Sequence, residues 1–166
     1  MGKRSSFERR EADYYPTLDS RAVLPILRFL PPGTLFSEPC CGLGHLVRHL
    51  EAQGLICVHM SDIQLGQDAR EYVSPVAVIT NPPWSRGLLH ELIVWWAMTA
   101  PETWLLMDAS WAQTRQATPY LSLCTDIVAL GRQKWIADSR HTGLDDCAWY
   151  RFVARPDGPI RFWPRS

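Results

Sequence analysis

The stretch VAVITNPPW, residues 76–84, runs from β-favouring apolar residues into an amide, two prolines and an indole. A short apolar run that ends at such a break has the length of a buried strand. Pro82 and Pro83 each fix φ near −65° and carry no N–H, so neither a ladder nor a helix continues through them. Asn81, lying before a proline, is held in the extended region. The strand therefore leaves the sheet at a stiff corner, with Trp84 expected as an exposed plate at its end.

Working outward, short apolar runs alternate with helical spacing. Thr34–Glu38, Leu55–Ser61 and Thr103–Met107 read as further strands, with Asp126–Leu130 and Cys147–Ala154 as the last two and 132–146 as a loop between them. Gly44–Gln53 has helical spacing and stops at Gly54. Leu88–Ala100 is a helix, apolar nearly all round, closed by Pro101. Asp19–Leu30 reads as helical although Pro25 must kink it or start it late. Thr118 and Pro119 read as the N-cap and N1 of a short helix. Strand and helix alternating at this spacing predict one α/β domain over 19–166 with a mostly parallel sheet, preceded by a short segment, 1–18. Ligands of such sheets bind beyond the carboxyl ends of the strands. Those ends are Glu38, Asp62 and Asn81.

Composition sets bounds on function. The chain has 166 residues, 46% hydrophobic, with eight tryptophans and five cysteines. The odd cysteines in no CxxC spacing argue against a disulfide framework and fit a reducing, cytoplasmic setting. No zinc-ligand spacing is present, so no metal is expected. The basic, polar start MGKRSSFERR predicts neither a signal peptide nor a membrane anchor; Met1-Gly2 with Ser6 fits the short myristoylation pattern, which is common by chance. Formal charge is zero but uneven: residues 1–10 and 132–166 each carry +3, and 11–131 carries −6. A basic rim around an acidic centre is compatible with a polyanion approaching a cation-holding site, and equally with solvated termini.

The first turn, FSEPCCGLGHL, places Gly42 and Gly44 at the mouth of a helix, where backbone can approach a ligand closely. Val47 stands where a dinucleotide fingerprint needs a glycine, and there is no GK[ST], so neither a dinucleotide nor a P-loop fits. Glu38 would repel a pyrophosphate but suits an ammonium group. Asp62 follows Gly42 by twenty residues, the position of an acid that binds ribose hydroxyls. Ribose plus ammonium without phosphate describes S-adenosylmethionine. At the other corner, the Asn81 carboxamide and the Pro82 carbonyl are aimed hydrogen-bond acceptors beside the flat face of Trp84. Two such acceptors suit a planar ring's exocyclic amine. Binding both its protons favours a pyramidal nitrogen whose lone pair can meet a methyl donor. Stacking on Trp84, about 1–3 kcal/mol, is comparable with the cost of extruding a base from a duplex. A rigid turn capped by a tryptophan is the plainer alternative.

Taken together, EPCCGLG (38–44), SDI (61–63) and NPPW (81–84) resemble motifs I, II and IV of class I S-adenosylmethionine-dependent amino-methyltransferases, and YYPT (14–17) resembles the segment that precedes them. The chain is most similar to small phage or prophage N6-adenine DNA methylases, whose closing hairpin CAWYRFVARPDGPIRFW (147–163) also resembles. That resemblance implies a Rossmann-like seven-stranded sheet with a final antiparallel strand and helices on both faces. It implies that Glu38 and the backbone of Pro39, Cys40, Gly42 and Gly44 hold the methionine part of the cofactor. Asp62 with Ile63 would hold ribose, and Asp68 with Ala69 the cofactor adenine. Tyr15 and Thr17 would lie near the cofactor carboxylate, and Asn81, Pro82, Pro83 and Trp84 would bind and activate the target amine.

The target implied is N6 of adenine in DNA. N6-adenine in RNA, N4 of cytosine and the glutamine side chain in a protein share the chemistry, and a non-catalytic cofactor-binding subunit is the reading from another class. No target-recognition domain follows the core, so a partner subunit or homodimer is expected to supply recognition. Within 132–146, Arg132, Lys134, Trp135, Arg140 and His141 are candidate substrate contacts. Cys41 and His45 depart from the family pattern.

Overall fold

The computed structural model describes residues 15–135, 143 and 145–165. Seven strands form one sheet: β1 (Leu35–Glu38), β2 (Ile56–Met60), β3 (Ala77–Thr80), β4 (Thr103–Asp108), β5 (Cys124–Arg132), β6 (Asp146–Phe152) and β7 (Arg161–Trp163). Their order is β2-β1-β3-β4-β6-β5-β7. All pairings are parallel except those of β6, which runs antiparallel to both β4 and β5. The mostly parallel, seven-stranded Rossmann-like sheet is as expected. The antiparallel strand is the last but one, however, and a short parallel strand follows it.

Residues 147–163 are accordingly not a hairpin. β6 and β7 lie on either side of β5, whose Asp126 reaches β7 through Arg161 Nε at 2.9 Å and Trp163 Nε1 at 2.9 Å. Three residues of strand could not hold their place by ladder bonds alone, and these charge-assisted bonds fix them.

Strand alternation divides the core between the sheet's two faces. Trp104, Leu106, Ile79 and Trp149 point to one side, where they meet Ala22, Val23 and Ile26 and the helix α1 (His45–Glu51). Leu105, Met107, Val78, Tyr150 and Phe152 point to the other, against α2 (Arg86–Thr99). From α2, Leu89, Leu92, Ile93, Trp96 and Ala97 are buried. Each of its large side chains contributes about 1.5–3 kcal/mol by leaving water.

Three local expectations shift. Ser20–Ile26 is a 3-10 helix capped by Asp19 rather than an α-helix over 19–30, because Pro25 lies inside it and cannot donate to an α ladder. The short helix α3 (Thr118–Leu121) takes Ala117 as N-cap, one residue before the expected Thr118. β5 runs on to Arg132, so that residue ends a strand rather than opening a loop. The strands β1, β2, β3 and β4 otherwise fall within one or two residues of their predicted bounds.

Candidate active site

β1 and β3 lie side by side, and β2 flanks β1, so Glu38, Asn81 and Asp62 all emerge at the same edge of the sheet. They line one cavity of about 550 Å³, together with Tyr15, Thr17, Pro39, Cys40, Ile63, Asp68, Ala69 and Pro83. That size is ordinary for a small-molecule site. Gly42, Gly44, Pro82 and Trp84, also singled out in the sequence, are not among its lining residues. Sequence reasoning missed Gln64, Arg70, Ser85, Leu88 and Leu92, which are. Leu88 and Leu92 are four apart on α2 and make an apolar wall, a placement hidden by that helix being apolar all round.

The glycine turn is shaped by Asp62. Its Oδ2 accepts the Gly42 N–H at 2.8 Å and its Oδ1 the Gln64 N–H at 2.9 Å, tying the tip of β2 to the loop after β1. Gly44, with φ 72°, is the left-handed N-cap of α1, a conformation that other residues adopt only with strain. A carboxylate oxygen has a second lone pair, so Asp62 can serve the loop and still accept from a ligand hydroxyl.

Glu38 is only 1% exposed, and its Oε2 has no hydrogen-bond partner. Oε1 accepts from the Thr80 hydroxyl at a long 3.3 Å. Burial pushes its pKa up to about 8, helped by the charge of Asp62; Thr80 and the peptide dipoles of Asn81 and Val47 oppose this without closing a bond to Oε2. Among the described residues it is the one ionisable group with a buried unpartnered atom. Leaving such a group unsatisfied costs free energy unless something cationic meets it.

Asn81 is oriented by a segment far away in sequence. Its Nδ2 donates to the Tyr15 carbonyl at 2.7 Å and to Thr17 Oγ1 at 3.3 Å. Thr17 is buried, and its carbonyl meets His49 Nε2 of α1 at 3.0 Å. The carboxamide nitrogen is thus engaged by residues 15–17, and the oxygen is the end left for a ligand donor. Tyr15 and Thr17, assigned to an N-terminal segment by sequence, are bonded directly into the site.

Trp84 is half-buried rather than exposed. Its Nε1 donates to the Leu106 carbonyl of β4 at 3.0 Å, and Trp135 meets it edge to face at 5.7 Å. Trp135 also stands 6.2 Å from Tyr15, so three aromatics adjoin the corner. Of the candidate contacts in 132–146, Lys134 and Trp135 are placed near this end of β5; Arg140 and His141 lie outside the described residues.

Asp68 caps a turn over Ala69–Glu71, and Arg70 grips it through Nε at 3.0 Å and through Nη2 at 2.6 Å. That guanidinium holds the Asp68 carboxyl down at about 2. Its partner two residues on was invisible to helix-periodic reasoning. His45, without an explanation in the sequence, lines the cavity at the start of α1; burial lowers its pKa, as do Arg48 and His49, favouring the neutral ring. Burial raises the thiol pKa of Cys40, and takes that of Cys41 up to about 11, so both are poor nucleophiles at neutral pH. Among the described residues no cluster of His, Cys, Asp and Glu could hold a metal, and no helix is long and apolar enough to cross a membrane.

Three solved structures share the fold. A predicted RNA methyltransferase of Pyrococcus horikoshii superposes with a TM-score of 0.56 at 16% identity, over 82% of this chain and 84% of that one. The 23S rRNA methyltransferase ErmE gives 0.54 at 14%, over 88% and 72%. The fold is that of a class I methyltransferase. A chain of a type I R-M system gives 0.53 at 12%, over 89% of this chain and 44% of that one, so here the match spans less than half of the larger protein. No family model and no curated protein matches the sequence.

S-adenosylmethionine fits this cavity on the chemistry of its donors. The orphaned Glu38 oxygen is suited to an ammonium, Asp62 to ribose hydroxyls, and Ile63 with Leu88 and Leu92 to apolar contact.

Proposed function

We propose that the protein methylates an exocyclic amine, N6 of adenine in DNA, using S-adenosylmethionine. The observation that carries this reading is the opening of Glu38, Asp62 and Asn81 into one cavity. When bound, the cofactor supplies a methyl group made electrophilic by its sulfonium. Glu38 would take the ammonium and Asp62 the ribose, while Tyr15 and Thr17, which line the cavity, orient Asn81. Asn81, which lines the cavity, accepts one proton of the target amine at Oδ1, and the Pro82 carbonyl, which is not part of that lining, is assigned the second, favouring a pyramidal nitrogen. Because the nitrogen lone pair is thereby partly withdrawn from conjugation with the ring, no side-chain base is needed for attack, and the departing proton passes to solvent. The fixed acceptors of the corner act by position and electrostatics.

The same amine in RNA is the second reading, favoured by two of the superposing structures bearing RNA-methyltransferase names. In this reading a partner subunit or second copy supplies recognition of a long target.

Incubation with labelled S-adenosylmethionine and plasmid DNA, RNA oligonucleotides or cell extract tests the reading. Label should appear as N6-methyladenine in nucleic acid. Asn81→Ala should reduce the rate by about a hundredfold or more, as loss of one aimed polar group does elsewhere. Label confined to protein would refute adenine as the target.

A further inference from the structure

The first turn of α2 follows Trp84 directly and divides two surfaces. Ser85, Leu88 and Leu92 face the cofactor-sized cavity. Arg86, Gly87 and His90 lie on another flank and, with Gln116, Pro119 and Tyr120, form an open groove of about 380 Å³. This groove has no role in the chemistry above.

Its construction is specific. The Tyr120 ring stacks on His90 with centroids 4.3 Å apart and planes 25° off parallel. Trp111 Nε1 donates to His90 Nε2 at 3.3 Å. Since the indole can only donate, Nε2 is the acceptor and the ring proton resides on Nδ1. Burial, with the charge of Arg86, lowers the imidazole pKa and keeps that neutral form. The groove is therefore lined by a neutral imidazole, the carboxamide of Gln116 and the guanidinium of Arg86 beside a paired aromatic surface. Arg86 is exposed and meets no acid among the described residues. A guanidinium is suited to phosphate, a carboxamide to a base edge, and an aromatic surface to a base face.

We infer that this groove holds the nucleotide next to the target base in a single-stranded segment of nucleic acid, with Arg86 on its phosphate and Tyr120 with His90 against its base. The inference rests on the proposed function. A neighbour still stacked in a duplex has no free face to offer Tyr120, so the strand must be open at this step as well as at the target. Arg86 and Trp84 are two residues apart in the chain, which couples the flanking contact to the catalytic corner. The groove deepens the reading by naming the form of the substrate.

Methyl transfer to single-stranded DNA and RNA oligonucleotides with one adenine, and to their duplexes, tests it in wild type, Arg86→Ala, Tyr120→Ala and Tyr120→Phe. Arg86→Ala should raise KM for the single strand about tenfold and lower the slope of log affinity against log salt by about one. Tyr120→Ala should raise KM by about tenfold and Tyr120→Phe should restore it, since the stack needs only the ring. Binding of S-adenosylhomocysteine, measured by calorimetry, should be unchanged in all three. The DNA and RNA arms show which strand chemistry is preferred. If wild type methylates adenine but Arg86→Ala leaves KM and salt slope unaltered and Tyr120→Ala leaves KM unaltered, the groove assignment is wrong while the proposed function stands. A lower KM for duplex than for single strand overturns the single-strand assignment. If wild type labels no nucleic acid, the proposed function fails and the groove assignment fails with it.

Discussion

Among the described residues two carboxylates are fully buried, Glu38 at the end of β1 and Asp126 in β5, and their surroundings could hardly differ more. Burial pushes Asp126 up too, but Arg161, Trp163 and Thr125 outweigh it and hold its pKa at about 2. Arg151 adds a contact at 3.4 Å. Glu38 has one long bond from Thr80, an unpartnered oxygen and a pKa near 8. The acid that is satisfied within the chain fastens a strand to the sheet. The acid left unsatisfied stands in a cavity, where a ligand can complete it.

The contrast can be broken from either end. Glu38→Gln keeps the shape and removes the charge. Cofactor affinity should fall by about tenfold to a hundredfold, the worth of a charge-assisted bond, while the ligand-free protein becomes more stable. Isothermal calorimetry and thermal melts read the two effects, and a loss of both affinity and stability would contradict them. The pH dependence has a definite sign. Because the folded pKa of Glu38 lies above its unfolded value, its contribution to stability is complete below about pH 4.5 and declines as pH rises towards 8. Melting temperatures of wild type should fall relative to Glu38→Gln across that window.

Asp126→Asn should act the other way, costing about 1–3 kcal/mol of stability by leaving Arg161 and Arg151 without their buried partner, discounted because both are partly exposed. Its depressed pKa makes this contribution present above about pH 4 and lost as pH falls through about 2. Denaturant titration checks the loss, and cofactor affinity should not change. The smallest effect is expected from Thr80→Val, which removes a single 3.3 Å donor from Glu38. Affinity should change by less than about fivefold, and the Glu38 pKa should rise further.

What was legible in the sequence was local. The strand ends carrying Glu38, Asp62 and Asn81 could be read from apolar runs and breaks because each run is bounded by its own glycine or proline. Pairings across long stretches of chain left no such trace. Asn81 with Tyr15 and Thr17, Asp126 with Arg161, and Trp84 with Trp135 are separated by 66, 64, 35 and 51 positions, and only the sheet brings them together. The same holds for β7, too short to show a pattern. Trp84 looked exposed because nothing in NPPW reveals that the Leu106 carbonyl lies within reach of its indole.

The account turns on Glu38 being kept bare for a cationic ligand, and proton counting tests that most directly. Calorimetry of S-adenosylmethionine binding at pH 7, run in two buffers of different ionisation enthalpy, gives the protons exchanged per cofactor. A side chain with a pKa near 8 that becomes ion-paired should release about one proton, and Glu38→Gln should abolish the release. Binding with no proton released by wild type, or with the same release from Glu38→Gln, would contradict it.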